Sequence, residues 1–383
     1  WARIAGRDRR GRPSRGDRAA RIAMIAMPSV YDAVVGQDHA IVKLRALATS
    51  PAQAYLFVGP PGCGKEIAAR AFIATRLQGS EDPRERTADL VMRGIHVDVH
   101  ELEREGASIS IDQARDEVVK LAPQTAVEGR FRTIVIHEVH LLADEARTSL
   151  LKTVEEPGAD NMIVLLAEDI PEDFSTIVSR CVRIDFGPIA DEVVVDTLTA
   201  SGVTTERARD IARIVAGDLS RARILVRDES LVERSRLFSS VPFELDGTAS
   251  RALSITENLL GAIEESLEAY KAQHLVELAE LEERAKFFGE RGLGRAKVDA
   301  RHKRELRRHR TDEIRSGLRI MTLVYADVLK QSADTTAHHL TDSYVRAVKT
   351  LRDASVALNV NVNEKLLLEN LLLNLPTVLP EHG

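Results

Sequence analysis

A chain of 383 residues with 44% hydrophobic side chains can fill two or three packed cores, while an aromatic content of 4% argues against nucleic-acid recognition by base stacking. Its formal charge of −6 is uneven: Arg3, Arg7, Arg9, Arg10, Arg12, Arg15, Arg18 and Arg21 against Asp8 and Asp17 give residues 1–21 a charge of +6, leaving about −12 elsewhere. No apolar run of 18 residues is present to span a membrane, and two distant cysteines, Cys63 and Cys181, exclude a four-cysteine zinc site and fit a reducing cytoplasm better than a disulfide framework.

Residues 1–26 form an Arg-rich extension, disordered in isolation. It is either an arm for nucleic acid or upstream sequence outside the fold, since Met24 and Met27 stand just before the first patterned segment. From Ser29 onward, apolar runs alternate with helical patterns, which predicts an α/β domain with a parallel sheet. Residues 55–58 are a strand feeding a glycine loop, 67–77 the helix after it, and 78–93 a charged insertion. Strands are expected at 96–99, 133–136, 162–166 and 181–186, with helices at 111–121 and 141–155. After Pro188 the strand signals stop. Short helices run from 192 to 227, broken at Gly202 and Gly217, and long helical stretches follow near 249–288, 297–332 and 336–374.

The glycine loop is Gly59-Pro60-Pro61-Gly62-Cys63-Gly64-Lys65-Glu66. It satisfies the phosphate-binding pattern through its lysine, but Glu66 stands where a Ser or Thr hydroxyl would hold Mg²⁺. A carboxylate there either ligates Mg²⁺ itself or repels the phosphates. A hydrolytic loop of this type also needs an acidic pair after a central strand, one carboxylate for the metal and one to activate water. At that place the chain reads His137-Glu138, so the degenerate acidic motif keeps only Glu138. The run His137-Glu138-Val139-His140 is one residue short of the H-E-x-x-H spacing that puts two imidazoles on one helical face, and its histidines are expected to cap the strand end.

Val34-Val35-Gly36-Gln37, the glycine loop, the Thr148-Ser149-Leu150-Leu151-Lys152-Thr153-Val154-Glu155-Glu156-Pro157 run and Ser179-Arg180-Cys181 follow one another in an order and spacing that resembles the AAA+ clamp-loader subunits of bacterial DNA polymerase III. The resemblance covers residues 28–375. With the nucleotide motifs degraded and Ser179-Arg180-Cys181 intact, the chain is most similar to the delta-prime type. The resemblance implies an AAA+ P-loop domain at 27–187, a small helical lid at 188–240 and an all-α collar at 241–383. It implies that Arg180 is an arginine finger offered in trans, and that 150–157 is a structural helix end beside it. Val34, Val35 and Gly36 would border adenine, with Gly59, Pro60, Pro61, Gly62, Cys63, Gly64 and Lys65 cradling the phosphates of ATP or ADP.

Departures from the family pattern are equally informative. Residues 78–93 lack the cysteines of a zinc module, so no zinc is expected. Glu168-Asp169 stands where active relatives place Thr or Asn, and Ser220 falls where an ATP-sensing arginine would lie, with Arg221 adjacent. The basic run 297–310 is read as a solvated or subunit-contact face ahead of a DNA groove. The expected function is a hydrolysis-deficient stator whose partners are the clamp-loader ATPase subunits and the delta-type clamp-opening subunit. The assembled complex would act on the sliding clamp and primed DNA, with no membrane involved. An active gamma/tau-like ATPase and a nucleic-acid-binding protein with a relic P-loop are the alternatives.

Overall fold

The computed structural model describes residues 28–50, 52–158, 160–170, 174–288, 295–332, 338–359 and 362–378. The Arg-rich extension at 1–26 lies outside them. Five parallel strands, β1 (Ala54–Val58), β2 (Val99–Leu102), β3 (Arg132–Ile136), β4 (Asn161–Ala167) and β5 (Val182–Asp185), form one sheet in the order β2-β3-β4-β1-β5. Every residue of β1, β3 and β4 is buried, as expected of central strands covered on both faces. The period of two sorts their side chains. Tyr55, Phe57, Val135, Met162, Val164 and Leu166 enter one core, whereas Leu56, Ile134, Ile136, Ile163 and Leu165 enter the other.

Helices α1 (Asp38–Thr49), α2 (Lys65–Gln78) and α3 (Arg86–Met92) cover the first face, and α4 (Ile111–Ala114), α5 (Asp144–Glu155) and α6 (Ser175–Val178) the second. Two expected elements differ. Residues 96–99 are not a strand before Val99, because the buried Asp98 carboxylate accepts the amides of Val127, Glu128 and Gly129 at 2.6, 2.8 and 2.7 Å, bending the chain into a loop anchor. The helix expected over 111–121 keeps one α turn and then widens at Arg115–Val119, where Lys120 N–H donates to Arg115 O at 3.0 Å. The wide turn keeps Ala114, Val118 and Ala122 buried on one side. The charged insertion at 78–93 contains α3, whose Ala88 and Val91 join the core.

Three short helices, α7 (Asp191–Ala200), α8 (Thr205–Val215) and α9 (Leu219–Leu225), share a small apolar core with Ile189 and Leu231. Helix α10 (Glu229–Glu244) leads into the bundle of α11 (Ala249–Phe288), α12 (Arg295–Ser332), α13 (His338–Ala357) and α14 (Glu364–Asn374). The stretch expected over 336–374 is thus two helices, the second capped by Asn363, whose Oδ1 accepts Leu366 N–H at 3.1 Å. Among the described residues, no helix is long and apolar enough to cross a membrane. Cys63 and Cys181 are both free thiols.

Helix α12 touches every unit. Its basic run is spent largely on acidic partners within the chain: Arg301 pairs with Glu277, Arg304 with Glu105 at 2.8 Å, and Arg310 with Glu264 at 2.6 Å and also with Glu364. Gly317, in the middle of this helix, admits the ring of Phe238 from α10, since a Cβ there would stand 2.2 Å from Phe238 Cε1. Gly317→Ala therefore gains about 1 kcal/mol of helix propensity and incurs about 1–3 kcal/mol of overpacking. The expected result is a lower urea midpoint at unchanged m-value; a raised midpoint would show that Phe238 moves aside freely.

Candidate functional site

The glycine loop leaves the C-terminal end of β1 and enters α2. Gly62 and Gly64 adopt φ of 64° and 89°, the left-handed turns that point backbone N–H groups inward. Lys65 is 4% exposed; its ammonium donates to Pro60 O at 3.2 Å and pairs with Glu66 at 3.2 Å. The α7–α9 unit, the segment expected as a lid, presses on the same turn. A Cβ at Gly62 would meet Asp218 Oδ1 at 1.8 Å, and Leu219 N–H donates to Gly62 O at 3.2 Å.

A cleft of about 1180 Å³ opens here between the sheet's C-terminal edge, the lid and α12. Pro61, Gly62, Lys65, Glu66, His137 and Glu138 line it, as do Glu168, Ser220 and Arg221. Val34, Val35 and Gly36 are not among its lining residues. A Cβ at Gly36 would lie 3.3 Å from Ile189 Cγ2, and the Gln37 amide group donates to Cys63 O at 3.0 Å and Gly187 O at 2.7 Å. The segment expected to border adenine is thus closed against the residues after β5.

The acidic motif is engaged elsewhere. His137 Nε2 shares a 2.9 Å hydrogen bond with Glu101, whose carboxylate also takes the Arg70 guanidinium at 2.7 and 2.8 Å. Burial alone would raise the Glu101 pKa, but the hydrogen bonds from His137 and Arg70 outweigh it and hold the group at about 2. Glu138, in the left-handed region at φ 48°, accepts Arg104 Nε at 2.7 Å. Arg104 is 2% exposed; it also pairs with Asp312 of α12 and donates to Gly106 O at 2.8 Å. Burial opposes ionisation of Glu138, and the Arg104 charge reverses this, leaving its pKa lowered. Sequence reasoning missed Arg104, Glu101, Arg70 and Asp312.

The residues fit a phosphate group, through the glycine turn and Lys65. They do not fit hydrolytic Mg²⁺, because position 66 is a carboxylate paired with Lys65 and position 137 is an imidazole bound to Glu101. Glu168, at the expected γ-phosphate sensor, has its pKa raised by burial. Arg221 is partly buried, with burial lowering its pKa, and donates to Ser235 Oγ at 3.1 Å, whereas Ser220 is exposed.

Arg180 is far from this cleft. It precedes β5, whose Val182 pairs with Tyr55 at the start of β1, so it lies at the N-terminal edge of the sheet, opposite the glycine loop. Its side chain is 41% exposed; Nε pairs with Glu155 at 2.9 Å and Nη1 donates to Thr176 O at 2.7 Å.

His140 offers a pH test. Its Nδ1 accepts Glu168 N–H at 3.3 Å, and burial pushes its pKa down to about 4, with the Glu138 charge offsetting part of this. The fold favours neutral imidazole, so its stabilising contribution is complete above an unfolded pKa of about 6.5 and is lost as pH falls towards 4. At about 1.4 kcal/mol per unit, the native chain should lose roughly 2 kcal/mol more than His140→Gln between pH 7 and pH 5. Urea midpoints at both pH values check this; equal losses would contradict it.

Residues 37–190 match the family described as DNA polymerase III, delta subunit. The delta' subunit of Bacillus subtilis DNA polymerase III is 30% identical over 193 residues, 48% of this chain and 57% of that protein. The tau subunit of the same organism is 34% identical over 178 residues, 44% of this chain and 31% of that protein. The chain thus spans about half or less of the length of these relatives. A solved DNA polymerase III gamma subunit-related protein from Thermotoga maritima aligns over 88% of this chain and 97% of that one, at 15% identity and a TM-score of 0.35. Over residues 37–190 this chain is thus similar to subunits of bacterial DNA polymerase III.

Proposed function

We propose that this chain is a delta-prime-like stator of a clamp loader: it binds ATP or ADP weakly or not at all, does not hydrolyse it, and offers Arg180 to the ATP site of a neighbouring ATPase subunit. The observation that carries the reading is the capture of Glu138 by Arg104, a buried guanidinium held from its other side by Asp312. A general base must accept a proton from water, and a carboxylate whose charge is held by a buried guanidinium is a poor proton acceptor. His137 is bound to Glu101 and Glu66 to Lys65, so neither residue at the metal-binding positions of the motif is free for the metal's role.

The exposed Arg180 supports the trans half of the proposal. A guanidinium at the N-terminal edge of the sheet cannot reach its own glycine loop, and its planar fork suits the spread charge of a transferring phosphoryl group. Partners on this reading are the ATPase subunits and a delta-type clamp-opening subunit, with the sliding clamp and primed DNA engaged by the whole assembly. The similar identities to delta' and tau favour a second reading, an active motor subunit.

The purified chain should show no Mg²⁺-dependent ATP turnover above background; steady turnover would establish the motor reading. In the reconstituted complex, Arg180→Ala should slow hydrolysis at the adjoining site by ~10³-fold, within the range for arginine fingers, while size-exclusion chromatography shows full assembly. Unchanged single-site turnover in a fully assembled complex would remove Arg180 from this role.

A further inference from the structure

The α11–α12 hairpin changes character along its length. Its inner half is apolar, with Ile255, Leu259, Ile263 and Leu267 of α11 buried in the bundle along with Ile314, Leu318 and Met321 of α12. Outward of Leu267 and Thr311, among the residues whose side chains are described, the one buried side chain is an imidazole, His302, at 5% exposure. A helix pair held at its outer end by polar groups needs those groups fully partnered, and here they are not.

The His302 and His274 rings stack at 3.8 Å with 3° between planes. His302 Nε2 shares a 2.8 Å hydrogen bond with Glu277, and His274 Nε2 a 2.9 Å hydrogen bond with Glu305. The Nδ1 atoms of both rings are buried without a hydrogen-bond partner. One ring nitrogen from each histidine and one carboxylate oxygen of Glu305 lie within 4.8 Å of one another.

We propose that His274, His302 and Glu305 form a binding site for a single divalent transition-metal ion of the zinc class, clipping α11 to α12. Two imidazoles and a carboxylate are a known three-ligand set for such ions, which leaves a fourth position for water. Ligands at ~2.0–2.1 Å in a tetrahedron stand roughly 3.3 Å apart, so the cluster needs a closure of about 1.5 Å at most, and the two rings, now parallel, must turn out of their stack so that both lone pairs face one ion. The cation takes the place of the proton shared by His274 and Glu305. Glu277 is the outer carboxylate that orients the His302 ring through Nε2 and leaves Nδ1 for the metal. Glu305, 40% exposed, gives the ion its path from solvent. This site is separate from the phosphate loop and from the cysteine module expected to be absent at 78–93, so it stands whether or not the chain is a stator.

The test uses the full chain after chelator treatment, titrated with Co²⁺ as a spectroscopic probe and with Zn²⁺ in competition against a chromogenic chelator. The expected result is one equivalent bound with the visible absorption of four-coordinate Co²⁺, displaced by Zn²⁺. His302→Ala and the near-isosteric Glu305→Gln should each weaken Zn²⁺ binding at least tenfold. His309→Ala, which removes a nearby histidine outside the set, should leave binding unchanged, and circular dichroism should show all three variants folded. Octahedral Co²⁺ only, or Zn²⁺ affinity unaltered in folded Glu305→Gln, would overturn the site.

Discussion

A guanidinium that is 2% exposed must find its counter-charges inside the protein, and Arg104 finds one on each side of the cleft. Removing an arginine from water costs several kcal/mol, and only well-placed carboxylates and acceptors recover it. Glu138 comes from the turn after β3 and Asp312 from the middle of α12, 208 residues further along the chain than Arg104. Arginine suits this place because its planar fork serves two carboxylates and the Gly106 carbonyl at once, which a lysine point charge would not do. Arg308 adds a bond from α12 to the Arg104 carbonyl at 2.6 Å. The position of the helical bundle against the sheet is therefore tied to the same charge that occupies the one remaining acidic side chain of the motif.

The cations around the cleft follow the same pattern. Lys65 is paired with Glu66, Arg319 with Asp218 at 3.4 Å and Arg234 with Glu313 at 3.2 Å. A phosphate group entering here would compete with carboxylates already in place, and the Asp218 side chain against Gly62 adds repulsion at closest range. The lid's contact with the loop is thus also an electrostatic substitute for an anion.

What was legible in the sequence was local. Four of the five strands, β1, β3, β4 and β5, announced themselves through β-branched and aromatic runs, and the loss of metal ligands at 66 and 137 was visible in the motif itself. Residues 96–99 misled because Val97 and Val99 alternate like a strand, while the decisive event, Asp98 capturing three amides, involves a loop some thirty residues away. The basic run at 297–310 looked like a surface, since its partners Glu103, Glu105, Glu264 and Glu364 have no sequence signature linking them to it. Arg104 and Glu101 were invisible for the same reason: a buried ion pair between distant segments leaves no periodic trace.

A parallel sheet has a direction, and this one separates Arg180 from the glycine loop by the length of its strands, on the order of 15 Å. Any contact that brings the first edge of one subunit to the second edge of another is therefore heterologous, repeating with a polarity and never as a two-fold pair. In such a series, a member with an exposed guanidinium, held by Glu155, at one pole and a self-satisfied cleft at the other would donate without receiving. On the stator reading proposed above, it is a terminus: it fixes where an arc of subunits stops and leaves the arc open on that side.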